Sequence, residues 1–168
     1  MIEESEALRE GILAAARLMV VSAITAPKAR GVDNVRARIL ERPEEIEMLA
    51  KAMEEMAAEL GEFYARDAIS VRRSAAVVIV GCKIVDFGLK SMEGLRVGLN
   101  EALSLVNLGI ALGSAVRAAA ELGVDNRIML TAGNAALRLG LIDADFALGV
   151  PLSATSKSVF FDRRWPPR

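Results

Sequence analysis

The sequence predicts an α+β protein, with a mixed or antiparallel sheet of about four to five strands packed against a long central helix. Residues 100–122 are apolar around nearly the whole circumference of a helix, which is typical of a helix inside a core. Four short segments have strand character, at 35–40, 75–80, 127–130 and 146–150. Strands and helices do not alternate strictly, and no G-x-G-x-x-G follows a strand, so a doubly wound nucleotide-binding domain is not expected.

The composition indicates one domain covering residues 1–168, because a chain of this length fits a single core. Apolar residues make up 53% and aromatic residues only 4%, so the core is expected to be aliphatic. The net charge is −1 and the basic residues are spread along the chain. Neither a nucleic acid nor a membrane is therefore expected as a partner.

Histidine is absent and Cys82 is the single cysteine. Ser-His-Asp and Cys-His nucleophile systems, ordinary zinc sites and a cysteine-ligated iron–sulfur cluster within one chain are therefore excluded. We expect no metal site. One thiol, an acidic start and the lack of a secretory signal predict a cytoplasmic protein.

The sequence predicts a helix, a cationic loop and a strand in residues 2–40. Residues 2–24 have helical periodicity, and Pro27 ends that helix. The loop 25–34 is polar, basic and interrupted by glycine and proline. In 35–40, arginines alternate with apolar residues, which predicts a half-exposed strand.

The middle of the chain predicts two helices and a buried strand. Pro43 begins an amphipathic helix that Gly61 ends, and a shorter helix follows at 64–73. The continuous apolar run at 75–80 predicts a central strand covered on both faces. Residues 81–98 have no clear pattern and are interpreted as a loop.

The tetrapeptide Gly-Val-Asp-Asn occurs twice, at 31–34 and at 123–126. Two uses of the same turn chemistry explain the repeat, and the alternative is a duplicated ligand loop or a pseudo-symmetric core. Farther on, we predict a helix at 131–139, a last strand at 146–150 and a loop at 151–158.

Two loops combine hydroxyl groups, cations and backbone freed by glycine or proline, which together suit an anionic ligand. The candidate ligand-binding residues are Thr25, Lys28, Arg30 and Asn34 in the first loop, and Ser153, Thr155 and Lys157 in the second. The alternatives are a solvated basic loop for the first and a capped turn for the second. No catalytic residue is assigned.

Arg117 and Cys82 have structural interpretations. Arg117 lies in the apolar helix, so it is expected to form an ion pair with Asp125 or Asp143. Cys82 is expected to be a small buried residue.

Several blocks carry a resemblance that spans nearly the whole chain. They are Thr-Ala-Pro-Lys-Ala-Arg-Gly-Val-Asp-Asn at 25–34, Arg-Asp-Ala at 66–68, Leu-Gly-Ile-Ala-Leu-Gly-Ser-Ala-Val at 108–116, Gly-Val-Asp-Asn-Arg-Ile-Met at 123–129, Pro-Leu-Ser-Ala-Thr at 151–155 and Phe-Phe-Asp at 160–162. The sequence resembles a family of uncharacterised ferredoxin-domain-containing proteins. That family carries a cysteine cluster between the 75–80 strand and the central helix, where this chain has only Cys82, so no iron–sulfur cluster is expected.

The order of elements is also similar to that of flavin-dependent nitroreductases: an Ala-Pro loop enters a strand, a long central helix follows, and a Gly-x-Pro stands at 149–151. The resemblance implies FMN held at a homodimer interface by the Ala-Pro loop and the segment after Gly-x-Pro. This chain lacks the Arg-Arg-Ser-x-Arg opening of that superfamily.

Two functions follow from the resemblance. The first is a small FMN-dependent oxidoreductase of nitroreductase type, a homodimer joined through residues 100–122 and acting on a small molecule. The alternative is a non-enzymatic dimeric scaffold or ligand-binding remnant that has lost its iron–sulfur cluster.

Overall fold

The computed structural model describes residues 1–91 and 93–161. That part of the chain contains five α-helices and four strands: α1 Glu4–Thr25, β1 Val35–Leu40, α2 Pro43–Leu60, α3 Phe63–Arg72, β2 Ala76–Cys82, α4 Leu99–Glu121, β3 Asp125–Asn126, α5 Leu130–Arg138 and β4 Phe146–Ser153. The predicted α+β class is confirmed.

The four strands form one antiparallel sheet in the order β1-β2-β4-β3. Every residue of β2 is buried, as its continuous apolar sequence predicts. Val78 and Val80 pack on one face of the sheet, and Val77 and Ile79 pack on the other. Strand β1 lies at one edge of the described sheet.

Helices cover both faces of the sheet. One face packs against α1 and α4, which also pack extensively against each other. The other face packs against α2, α3 and α5. The predicted packing of the sheet on the long helix α4 is confirmed, with α1 beside it.

Helix α4 has a buried face and an exposed face, which differs from the prediction of apolar residues covered on all sides. Its small residues, such as Ala111 and Ala115, face the core, whereas Val106, Ile110 and Gly113 face outward. Among the described helices, α4 alone is long and apolar enough to cross a membrane by length and composition, and 39% of its most apolar window is buried in the fold. The core helix of a folded protein meets the same test.

One strand prediction in the second half of the chain is wrong, and the strand predicted at 146–150 is present but longer than predicted. The segment 127–130 is not a strand: the chain pairs with β4 at Asp125–Asn126, leaves the sheet, and returns for one bridge between Met129 and Gly149. Strand β4 continues through Pro151 to Ser153, so the predicted loop begins only at Ala154.

Pro151 is tolerated inside β4 because of the direction of its nitrogen. Gly149 exchanges its backbone hydrogen bonds with Met129, and a residue two positions later points the same way in a strand. The nitrogen of Pro151 therefore faces the side where the chain leaves the sheet between Asn126 and Met129, so no ladder bond is lost.

Candidate functional site

The two predicted ligand loops lie at opposite ends of the sheet. Val35, the first residue of β1, pairs with Cys82, which pairs with Phe146 at the start of β4. Ser153 is the last residue of β4, seven positions farther along. At about 3.3 Å per residue the two ends are roughly 23 Å apart. Within one chain, these loops do not form a common site.

Lys28 is occupied inside the first loop. Its ammonium donates to the carbonyls of Ile24 and Ala26, the second at 3.1 Å, and lies 3.8 Å from a carboxylate oxygen of Asp33. Only 7% of its side chain is exposed. Lys28 therefore caps the carboxyl end of α1, where a cation is favourable. Thr25 is exposed, and its hydroxyl donates to the carbonyl of Val21 at 2.8 Å.

Arg30 is the exposed cation of the first loop. Its φ of +52° is in the left-handed region, which is costly for a residue with a Cβ. Its guanidinium donates to the carbonyl of Phe87 at 2.5 Å.

Asn34 is buried, and both the nitrogen and the oxygen of its amide have hydrogen-bond partners. Its nitrogen donates to the carbonyl of Lys83 at 2.7 Å, and its oxygen accepts from the side chain of Asn107 at 2.8 Å. Asn34 therefore organises the loop from within.

The hydroxyls of the second loop mainly hold the turn. Ser153 is buried, with its oxygen 3.5 Å from that of Thr155. The Thr155 hydroxyl donates to the carbonyl of Lys157, whose side chain is exposed. These contacts agree with the capped-turn interpretation.

A cavity that the sequence did not predict lies between the start of α1 and the end of β4. It encloses about 270 Å³ and brings Arg9 and Arg73 to the hydroxyl-bearing end of β4. The lining consists of Ser5, Leu8, Arg9, Ile12, Arg73, Ala75, Ser153, Ala154 and Thr155. We call it the arginine cavity. One of its two cations lies in α1 and the other directly follows α3, so no local motif marks them.

An apolar groove of about 370 Å³ continues from the arginine cavity along α1. The two depressions share Leu8, Ile12 and Ala154. The groove extends past Gly11 and Leu18 to the turn after α4. Together they offer a cationic end and an apolar end, and ligand sites commonly combine an apolar lining with a few polar or charged groups.

Two further ion pairs lie at the surface. Asp143 lies 2.5 Å from Lys83, and this ammonium holds the pKa of Asp143 below its usual range. Arg117 pairs with Glu121 at 2.7 Å on the exposed side of α4, so the predicted partners Asp125 and Asp143 are wrong. An (i, i+4) pair is the local choice for an arginine that faces solvent.

Cys82 is fully buried, as expected, and burial raises the pKa of its thiol. Within 1–91 and 93–161, no group of three or more cysteine or carboxylate side chains is placed to hold a metal ion.

Comparison with known proteins identifies relatives of unknown activity. Residues 98–163 match the family described as "uncharacterized protein containing a ferredoxin domain". An uncharacterized protein of Archaeoglobus fulgidus is 42% identical over 180 residues, covering 97% of each chain. An iron–sulfur cluster does not fit this chain, because such clusters take four protein ligands and the chain has one cysteine and no histidine.

Solved structures of similar fold include oxidoreductases, and the descriptions of two of them name FMN. A Desulfovibrio desulfuricans protein assigned to the nitroreductases, solved with FMN, matches 90% of this chain and 78% of its own length, at 16% identity and a TM-score of 0.60. The NADPH:FMN oxidoreductase of Vibrio harveyi, solved with NAD+, matches at 15% identity and a TM-score of 0.58, over 86% of this chain and 60% of its own length. A hypothetical oxidoreductase of Bacillus subtilis matches at 13% identity and a TM-score of 0.60, over 86% of this chain and 58% of its own length.

At these identities the likeness shows the fold alone, and the chain spans about three fifths of the two larger proteins. The chain has the nitroreductase-like fold, and by its 42% identity to the archaeal relative and the match over 98–163 it belongs to the family of uncharacterized proteins containing a ferredoxin domain.

Proposed function

We propose that this protein is a homodimeric FMN-dependent oxidoreductase of nitroreductase type, with each flavin held between two chains. The arginine cavity carries the proposal: it joins two cations and two hydroxyls to an apolar groove, in a fold that the Desulfovibrio desulfuricans protein uses with FMN.

The flavin phosphate would bind between Arg9 and Arg73, with the hydroxyls of Ser153 and Thr155 nearby. Charged donors are the strongest hydrogen-bonding partners for such a dianion. The ring system would lie in the apolar groove, against Leu8, Leu18 and Leu122. Bound FMN supplies hydride or electron transfer, and the chain holds and orients it.

A second chain would complete the site. The loops 25–34 and 153–157 are too far apart to meet within one chain, so in our proposal the partner's loop brings Arg30 and Thr25 to the flavin, near Lys157. Lys28 and Asn34 would shape that loop from inside, since their polar groups already have partners.

The exposed face shared by α1 and α4 is the proposed dimer surface. Leu18 and Val21 on α1 and Val106 and Ile110 on α4 are all exposed. The helix glycines Gly11, Gly109 and Gly113 lie on the exposed sides of α1 and α4, and a Cβ on each would meet no atom within 4 Å. A large apolar face marks an interaction site, and glycines permit close approach of a second backbone.

Flavin titration tests the proposal. FMN fluorescence should be quenched on binding to wild-type protein, and the Arg9→Ala/Arg73→Ala variant should bind at least about 100-fold more weakly, because each charge-assisted contact contributes about 1.5–3 kcal/mol and about 1.4 kcal/mol is tenfold. Arg138→Ala is the matched control, since Arg138 is an exposed arginine of α5 that pairs with Glu59 of α2.

Arg30→Ala should also weaken binding, and Lys28→Ala should reduce stability. If the double variant and the control bind FMN with equal affinity, the arginine cavity is not the phosphate-binding site.

No flavin binding at about 100 µM, a concentration that detects affinities in the micromolar range, would favour the second candidate function, a non-enzymatic dimeric scaffold. This second function is favoured by the observation that the polar groups of Lys28 and Asn34 are bonded within the chain and do not face a ligand. We further propose that residues 1–168 fold as one domain and act in the cytoplasm, where a lone thiol such as Cys82 stays reduced.

A further inference from the structure

A buried pair of side-chain amides joins the middle of α4 to the loop 25–34. The side-chain oxygen of Asn107 accepts from the backbone N–H of Ala29, and its nitrogen donates to the side-chain oxygen of Asn34, both at 2.8 Å. Asn34 in turn donates to the carbonyl of Lys83 at 2.7 Å, and its own carbonyl accepts the Lys83 N–H at 2.9 Å. A continuous chain of hydrogen bonds therefore runs from α4 through the loop to the end of β2.

Asn107 is an exception on its side of α4. The buried face of that helix is otherwise made of alanine, leucine and Ser104, and Asn107 itself is only 1% exposed. A buried amide is unfavourable unless its donors and acceptors are paired, and here both ends are. An apolar side chain would pack in this layer without such requirements, so packing alone does not call for asparagine.

The loop that Asn107 holds contains a costly conformation. Arg30 and Gly31 have φ values of +52° and +69°, and only glycine adopts these without cost. Such a conformation persists where the surroundings fix it from several sides. Here Asn107 holds the residue before Arg30, and the carbonyl of Phe87 holds the Arg30 guanidinium.

We propose that Asn107 is a positioning residue for the ligand loop: its amide fixes residues 29–34 so that Arg30 is presented in its binding conformation before the ligand arrives. The inference rests on the proposed function, since it assigns that loop to the flavin site. Asn107 lies inside α4, contacts no part of the arginine cavity, and acts through Ala29 and Asn34.

Substitution of Asn107 should therefore weaken FMN binding even though Asn107 itself does not contact the ligand. When only a fraction of molecules has the binding conformation, the apparent dissociation constant rises by the inverse of that fraction. If loss of the Asn107 bonds leaves about one tenth of the loops in place, FMN binding weakens about tenfold.

Two substitutions at Asn107 test this. Asn107→Leu keeps the branching at Cγ and removes both bonds, and Asn107→Asp keeps an acceptor for Ala29 but no donor for Asn34. Ser104→Ala is the matched control: Ser104 is equally buried on the same face of α4, and its hydroxyl accepts from Val85 at 3.3 Å rather than from the loop.

Amide hydrogen exchange is measured first, without flavin. The N–H groups of Ala29, Gly31 and Val32 should exchange at least about tenfold faster in Asn107→Leu, by an intermediate factor in Asn107→Asp, and at the wild-type rate in Ser104→Ala. Residues of β2 should keep their protection in all variants, which shows that the fold is intact. Unchanged exchange in the loop overturns the inference.

FMN titration of the same variants follows. Weaker binding by Asn107→Leu, with wild-type affinity in Ser104→Ala, supports the inference. Faster loop exchange with unchanged affinity overturns it, because the loop would then be ordered for another purpose. If wild-type protein binds no FMN, the proposed function fails and the positioning role fails with it, while the exchange data still report on loop order.

Discussion

One methyl group at Gly133 should destabilise the protein strongly. A Cβ built there lies 2.0 Å from the carbonyl oxygen of Ala147, 2.4 Å from its carbon and 2.6 Å from the Cα of Leu148. Ordinary contact needs about 3.4 Å, so α5 and β4 would have to separate by more than an ångström, and close-packed interiors resist such shifts. The obstructing atoms are backbone, which no rotamer change relieves.

The magnitude follows from two opposing effects. Overpacking costs about 1–3 kcal/mol or more, and the upper end applies because the strand itself must move. Alanine in place of glycine recovers about 1 kcal/mol of helix propensity. We therefore expect Gly133→Ala to lower the free energy of unfolding by about 2 kcal/mol, and Tm by about 4–8 °C for a chain of this size.

Urea and thermal denaturation followed by circular dichroism measure the change. Glu55→Ala on α2 is the control, because Glu55 is exposed and lies outside the proposed ligand site and dimer surface, so stability should change by no more than about 0.5 kcal/mol. A single transition is expected for a one-domain chain. A Gly133→Ala variant as stable as wild type would refute the close approach of α5 to β4.

Three further predictions concern the surface and the thiol. In light scattering, Ile110→Glu should convert a dimer of about twice 18.0 kDa into a monomer. Met48→Glu is the control and should leave the dimer intact, because Met48 is equally exposed but lies on α2; a monomeric wild-type protein would contradict the proposed dimer surface. Arg72 holds the pKa of Glu54 below its usual range, so this ion pair stabilises the fold at neutral pH and the stabilisation is lost as the pH falls through the folded-state pKa. Arg72→Leu should therefore lose less stability than wild type between about pH 5 and 3, and an unchanged dependence of stability on pH would contradict this. Cys82 is fully buried with a raised thiol pKa, so a thiol reagent at pH 8 should react only as fast as the protein opens, and rapid labelling of native protein would contradict the burial.

Local pattern was sufficient for much of the fold. Strand β1 has the predicted bounds, because alternation along six residues is a local property of the chain. The apolar run of β2 and the helix that begins at Pro43 were likewise correct within two residues.

The loop predictions are wrong at a glycine and a proline that lie inside strands. The sequence predicts a loop at Gly81, yet Gly81 lies inside β2, where a Cβ would meet Ala144 at 2.6 Å. For the same reason the sequence predicts a loop at Pro151, which lies within β4. Sequence alone does not separate a residue that bends the chain from one that permits close approach.

The arginine cavity was beyond prediction because its cations converge only after folding. Arg9 belongs to α1, and Arg73 follows α3. The loop 25–34 was recognised by composition, but composition does not show that Lys28 and Asn34 point their polar groups inward.

Strand β1 bears on how the protein behaves when concentrated. An unpaired strand edge offers a row of backbone donors and acceptors to any other strand, which is a route to fibrils. Along β1, Arg36 and Arg38 are exposed between half-buried apolar residues. Two copies that paired these edges side by side would place arginines against arginines, and like charges in adjacent strands repel. The alternation that makes β1 a strand thus also keeps one sheet from extending into the next.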